Sequence, residues 1–335
     1  MKRIGYLSFG HYQDVPGSLV HTAQDALVQA IELAVAAEEV GVDGAYVRVH
    51  HFAPQFASPF PLLAAMAART SRIELGTGVI DMRYENPLYM AEEAAITDLI
   101  SDRRLQLGLS RGSPETAVRG YESFGYGPAE GETDADQARR HTAIFRAAID
   151  GAAVAQANPQ MTGGMGGGLA IDPQSPGLSE RIWWGSGTRA TAKWAAEQGM
   201  NLMSSTLLTE DTGVPFDELQ AEQIQIFRDN WAGDHEPRVS VSRSIIPLVS
   251  DQDRAYFGGE RSSEDQVGYL DGGLARFGKS YVGEPDVIAA QLAQDAAVQA
   301  ADTVLVTVPN QLGVDYNATL LENIVKLVAP GAGWR

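Results

Sequence analysis

Residues Arg72–Glu115 read RIELGTGVIDMRYENPLYMAEEAAITDLISDRRLQLGLSRGSPE, and the order of patterns in them decides the fold. An apolar β-type run, Arg72–Val79, gives way to a loop and then to a helix-type run over about Pro87–Ser101. A second β-type run, Arg103–Leu109, follows and stops at Ser110-Arg111-Gly112. Strand, helix, strand at this spacing is the unit of a parallel sheet, and both β runs end in small or polar residues. Those ends are where a parallel α/β sheet presents its binding edge.

The same rhythm extends in both directions. Upstream lie the β-type runs Ile4–Phe9 and Gly44–His51, separated by a helical pattern over Ala23–Val40 that Gly41 is suited to end. Pro59 and Pro61 could open a short helix through Leu62–Arg69, since proline suits a first helical turn. Downstream come a helix near Asp136–Asp150, strand Arg181–Gly185, helix Ala190–Gln198, strand Asn201–Ser204, helix Phe216–Asn230 and strand Arg238–Val249. A helix opening at Glu284-Pro285-Asp286, strand Thr303–Val308 and a last helix Asn317–Val328 complete the series. Eight strands, each with a following helix, predict a single-domain α/β fold over residues 1–335: an eight-stranded parallel β/α (TIM) barrel. Two irregular insertions, near 151–180 and 251–280, account for the extra length. The first holds Gly163, Gly164, Gly166, Gly167 and Gly168, but Leu169-Ala170 follow where a phosphate loop needs Lys-Ser or Lys-Thr, so it reads as a flexible excursion.

Composition narrows the function. Of 335 residues 43 are acidic and 25 basic, a formal net charge of −18, so the basic footprint of nucleic-acid binding is missing. An anionic cofactor could still bind through local donors. Absence of cysteine removes disulfides, thiolate metal sites and thiol catalysis. No run approaches the roughly 18 apolar residues of a membrane span, and the N-terminus is too polar for a signal peptide, so a soluble cytoplasmic protein is the expectation.

Four strand ends carry residues suited to chemistry. His50-His51 close the second strand, and alternation lets only one of them enter a barrel mouth. Gly76-Thr77-Gly78 closes the third, where two glycines indicate either a bulge or close approach of a ligand. Ser110-Arg111 closes the fourth, and Arg111 brings either a fork of donors for an anion or a salt bridge to an acidic neighbour. Gly185-Ser186-Gly187-Thr188 closes the fifth and opens a helix. Unpaired N–H groups, the helix dipole and the hydroxyls of Thr188 and Thr191 suit a phosphate there, and N-capping by Thr188 is compatible with it. A phosphate grip on one side of the mouth, with a histidine and a glycine-rich ledge on the other, suits a flat cofactor with a phosphate tail.

With these residues in place, the chain resembles the bacterial luciferase-like family of flavin-dependent oxidoreductases from Ile4 to about Val328. The resemblance is strongest at His50–Phe52, Arg72–Val79, Asp98–Gly112 and Ile182–Ala196. It implies that His50 is the catalytic histidine of a Glu-His-His-Phe signature in which Val49 here replaces the glutamate. It further implies that the Gly78-Val79 peptide, cis in many relatives, backs the flavin ring together with Thr77. Ser110, Arg111, Ser186, Gly187, Thr188 and Thr191 would then hold the flavin and its phosphate, and 251–280 would form a lid. The implied reaction uses reduced FMN from a separate flavin reductase and O2 to oxygenate a small organic substrate through a flavin hydroperoxide, in a homodimer whose contact runs through alanine-rich helices (Ala64, Ala65, Ala67, Ala68; Ala91, Ala94, Ala95). His11, Arg83, Tyr84, Tyr121 and Phe124 are expected to set the substrate. The alternatives are a dehydrogenase or reductase using the deazaflavin coenzyme, a barrel hydrolase with a metal on His50 or His51 and Asp81, and a non-catalytic flavin-binding barrel.

Overall fold

The computed structural model describes residues 1–112, 116–210, 213–259, 266–270 and 273–335. Its eight central strands are β1 Arg3–Ser8, β2 Gly44–Val47, β3 Glu74–Asp81, β4 Leu105–Ser110, β5 Ile182–Ser186, β6 Asn201–Ser204, β7 Val239–Pro247 and β8 Thr303–Thr307. They pair in parallel in the order β7-β8-β1-β2-β3-β4-β5-β6, and β6 pairs back onto β7, so the sheet closes into the expected barrel. The helices are α1 Ala23–Glu39, α2 Pro59–Arg69, α3 Pro87–Ile100, α4 Asp134–Ile149, α5 Arg189–Glu197, α6 Phe216–Asp229, α7 Asp251–Phe257, α8 Pro285–Leu292, α9 Ala296–Ala300 and α10 Gly313–Asn323. None among the described residues is long and apolar enough to cross a membrane.

Alternation along each strand sorts two cores. The outward set, including Ile4, Tyr6, Leu75, Leu105, Leu107, Ile182 and Val241, packs under the helices. The inward set, Leu7, Tyr46, Trp183, Met203 and Leu305, fills the barrel, with Phe9 and Val79 on its upper rim. Gly76 belongs to this inner packing. A Cβ there would lie 2.4 Å from the Gln106 carbonyl and 2.5 Å from the Tyr46 ring, so the missing side chain makes room for Tyr46 and not for a ligand. Helix limits follow local chemistry. At the start of α1, Thr22 and Asp25 form a reciprocal capping box (3.1 and 2.9 Å), and Gly41 at φ +88° receives the chain past its end.

Three expectations need correction. The second strand stops at Val47, not His51. The stretch 251–280 is not wholly irregular: it contains α7, an antiparallel hairpin (Gln266–Leu270 with Gly273–Phe277) and a strand, Ser280–Gly283, parallel to the far half of β7. That hairpin pairs in turn with Leu207–Leu208, while residues 260–265 and 271–272 lie outside the described ones. The helix expected over 284–299 is two, because Asp295 caps α9 through the Val298 N–H (2.8 Å) while also binding Arg243. Of the alanines offered for a dimer contact, Ala67, Ala91, Ala94 and Ala95 are at most 3% exposed, whereas Ala64 and Ala65 are half-buried and Ala68 is exposed.

Candidate active site

The ends of β2 to β6 crowd one side of the mouth. The Gly78-Val79 peptide is cis, and the β3–β4 register shifts between Thr77 and Ile80. Thr77 is fully buried, donating its hydroxyl to the Gly108 carbonyl (2.9 Å) and accepting the Gly108 N–H (3.1 Å). Its side chain therefore stitches two strands, and what this position turns toward the mouth is backbone. Val79 is half-buried on the inner core. A Cβ on Gly185 would lie 3.2 Å from Val79 Cγ1 and 3.3 Å from Ser110 Cβ, so three neighbouring strands bring Val79, Gly185 and Ser110 into one shelf.

Beside the shelf lie the residues expected to grip an anion. The Ser110 hydroxyl accepts the Gly112 N–H at 2.8 Å, fixing the turn that carries Arg111. Arg111 is exposed and forms no ion pair among the described residues, so the salt-bridge reading of this arginine finds no support there. Across from it, buried Ser186 donates to the Thr188 carbonyl (2.9 Å), shaping the loop that enters α5. Thr188 caps the helix, accepting the Thr191 N–H at 3.1 Å and donating to the Thr191 hydroxyl at 2.9 Å. Sequence alone did not disclose Glu210. Its carboxylate accepts the Arg189 N–H at 2.9 Å and lies 3.4 Å from the Arg189 guanidinium. The first turn of α5 thus already holds an anion, one belonging to the chain itself. The loop bearing Glu210 is anchored to the grip, because the Ser186 carbonyl accepts the Ser205 N–H (2.9 Å) and the Gly187 carbonyl accepts the Thr209 N–H (3.2 Å).

The two histidines follow the end of β2 on an irregular segment, so strand alternation does not sort them. The segment is tied down by Arg48 N–H to Ser8 carbonyl (2.9 Å) and His50 N–H to Phe56 carbonyl (2.8 Å). His51 stacks on Tyr84 with ring centres 4.3 Å apart and meets the edge of Phe124 at 5.1 Å. Tyr84 meets Tyr121 at 6.0 Å, which makes an aromatic wall over β2 to β4. His50 stands apart from that wall, half-buried. Burial, and then the charge of Arg48 with the nearby His11 and His51, push its pKa down to about 4. The His50 ring is therefore held neutral near pH 7, with one nitrogen that donates and one that accepts. An NMR titration of the imidazole is expected to give a midpoint near 4, moving upward in Arg48→Met. A midpoint at or above the ordinary histidine value would refute this account.

Of the residues expected to set the substrate, Arg83 is committed to Asp81 (2.6 Å) and Asp134 (2.9 Å), which also engages the carboxylate a metal site would need. Tyr84 and Tyr121 are nearly buried in the wall, and His11 stacks on Phe9. A cavity of about 220 Å³ opens instead over β7 and β8, lined by Phe9, Ser242, Ser244, Lys279 and Thr307 among others. Its signal was present in Val239–Pro247 (VSVSRSIIP), where Ser240, Ser242 and Ser244 alternate with the helix-facing Val239, Val241 and Ile245.

Fold and mouth together define a parallel β/α barrel whose β3, β4 and β5 ends bring Val79, Ser110 and Gly185 together. A family profile described as luciferase-like monooxygenase matches residues 11–256. The chain belongs to that family, whose members are oxidoreductases. It is similar to the oxygenase component of flavin-dependent trigonelline monooxygenase from Acinetobacter baylyi, 36% identical over 87 residues covering 25% of this chain and 24% of that one. It is also similar to an F420-dependent glucose-6-phosphate dehydrogenase from Amycolatopsis mediterranei, 38% identical over 101 residues covering 28% and 30%. The matched stretches thus span only a quarter to a third of these relatives. Among solved structures, the monooxygenase RslO1 from Streptomyces bottropensis superposes with a TM-score of 0.73 at 19% identity over 98% of this chain and 99% of that one, which bears on fold alone.

Proposed function

We propose that this chain is the oxygenase of a two-component flavin system, taking reduced FMN from a separate reductase and O2 to oxygenate a small organic substrate. The observation that carries the reading is the anion grip of Arg111, Thr188, Thr191 and the α5 N-terminus set next to the Val79–Gly185–Ser110 shelf. The donors are those a phosphate needs: a forked cation, two hydroxyls and helix N–H groups. Glu210 supports the fit, since a carboxylate already sits where a phosphate oxygen would be received. The shelf offers backbone and the apolar Val79 face to a ring. Bound reduced FMN would supply the electron pair with which O2 is activated. His50, neutral and acceptor-ready, would take or steer a proton at its ring nitrogen, and the aromatic wall around His51 keeps water from that flank.

A second reading, hydride transfer with the deazaflavin coenzyme F420, is favoured by the 38% identical stretch shared with the glucose-6-phosphate dehydrogenase. Titrating the protein with FMN and with F420, followed by quenching of cofactor fluorescence, separates the two. Saturable FMN binding with weaker or absent F420 binding is expected. Binding of F420 alone would overturn the oxygenase reading.

A further inference from the structure

We infer that the 220 Å³ cavity over β7 and β8 is a substrate subsite for a carboxylate, recognised by Lys279. The inference rests on the reading of this mouth as the active site and names the class of molecule it takes.

The cavity and the shelf have the inner barrel cluster in common. Phe9 lines the cavity and packs on the same inner cluster, Leu7, Tyr46, Trp183, Met203 and Leu305, against which Val79 lies. Phe9 and Val79 thus rest on one inner cluster, which places the cavity and the shelf at the same mouth of the barrel. The volume is enough for a compact organic acid.

The charge of its walls is unusual for this chain. Acidic residues outnumber basic ones 43 to 25, yet among the described residues no Asp or Glu lines the cavity. Two cations do, and they differ in availability. Arg243 is 3% exposed and doubly bonded to Asp295 (2.7 and 3.0 Å), which also accepts the Tyr281 hydroxyl at 2.5 Å, so that charge is neutralised in place. The Lys279 ammonium rests 5.2 Å over the Tyr281 ring and has no carboxylate partner among the described residues. Among the described residues of the lining it is the charge without a carboxylate counter-ion.

The remaining polar lining consists largely of hydroxyls: Ser242 and Ser244 from β7, Thr307 from β8, and Thr206 after β6. One ammonium with several hydroxyl donors matches a monoanion that needs a single counter-charge and two or three hydrogen bonds. A phosphate dianion would call for the forked guanidinium or helix N-terminus that the opposite side of the mouth provides, and here the guanidinium is already spent on Asp295. Above Phe9, Arg48 lies 4.8 Å over its ring and lowers the pKa of His11 after burial has done so, adding positive potential to the approach. Phe9 and Phe216 supply the apolar surface for the body of the molecule.

The test uses the full chain with 4-fluorobenzoate and 4-fluorobenzamide, isosteres differing in charge, followed by fluorine NMR. The acid is expected to bind at least about tenfold more tightly than the amide, as loss of a charge-assisted hydrogen bond implies. Lys279→Gln should remove that preference without changing amide binding, and Lys279→Arg should restore part of it. Lys326→Gln, which removes an exposed cation paired with Glu322 away from the cavity, should change neither. Equal affinity for acid and amide, no binding of either at millimolar concentration, or a preference that survives Lys279→Gln in a chain with unchanged melting would overturn the inference. FMN titration of the same samples separates the outcomes. Intact FMN binding without carboxylate preference sinks only the subsite, whereas lost FMN binding in the wild-type chain sinks the oxygenase reading.

Discussion

Replacing Asp98 with alanine is expected to lower the unfolding free energy by about 3 kcal/mol, read as a lower urea midpoint with an unchanged slope. Asp98 is fully buried on the inner side of α3. It accepts Arg181 through both terminal nitrogens (2.6 and 2.9 Å), the Ser175 hydroxyl (2.6 Å) and the Leu105 N–H (3.2 Å). One carboxylate thus joins α3, the first residue of β4 and the chain returning from the 151–180 insertion into β5. Removing one partner of such a pair usually costs about 3–5 kcal/mol, because the other charge is left without its counter-ion in a poorly solvated place. The lower end applies here. The Arg181 side chain keeps 16% exposure and retains bonds to the carbonyls of Arg103 and Gly177. Asp98→Asn, which preserves an acceptor for Leu105 but not the charge, should fall between wild type and alanine. A change in Asp98→Ala within about 0.5 kcal/mol, the range of an ordinary surface substitution, would show that the carboxylate is not the joint described.

Asp98 also illustrates what sequence could and could not disclose. Its place in the strand–helix–strand unit was legible because that unit repeats, and repetition of a local pattern is enough to specify a parallel barrel. Its partners were not legible, since Ser175 and Arg181 are 77 and 83 residues away and no periodicity connects them. The same division runs through the mouth. Gly78-Val79, Arg111, Thr188 and Thr191 stand out because glycine, arginine and cap residues at strand ends each have a local physical reason to be there. Glu210 and Lys279 do not. A glutamate in a loop looks like any of the acidic residues, and its meaning appears only when the β6–α6 loop folds back over the start of α5. His50 was found for a partly mistaken reason. The strand-end argument placed it at the mouth, but the strand stops at Val47, and three residues of irregular chain set its ring beside Arg48 and His11. That neighbourhood, together with burial, makes it neutral, which no reading of adjacent letters could supply.

The anion grip makes a prediction with two opposite signs in one assay. Arg111→Met is expected to weaken FMN binding by about 10- to 100-fold, the loss of charge-assisted hydrogen bonds to a phosphate. Riboflavin, which lacks the phosphate, should bind both proteins alike. Glu210→Gln should act in the other direction. In the ligand-free chain the Glu210 carboxylate takes the Arg189 N–H at 2.9 Å, so an arriving phosphate must displace an anion before it can be received. A competitor inside the molecule multiplies the apparent affinity by the fraction of chains it leaves open, so an amide at this position should tighten FMN by about tenfold. The displacement should also be felt beyond the grip. The segment that carries Glu210 includes Leu207–Leu208, which pair with Phe277 and Arg276 of the hairpin, so backbone movement at 210 is transmitted to that hairpin through main-chain hydrogen bonds. Hydrogen exchange at Leu207 and Leu208 is therefore expected to change when FMN binds to the wild-type chain and to change less in Glu210→Gln, where the contact is already weakened. If Glu210→Gln weakens FMN as Arg111→Met does, the carboxylate is part of the receiving surface and not its internal competitor, and the account of a self-occupied grip fails.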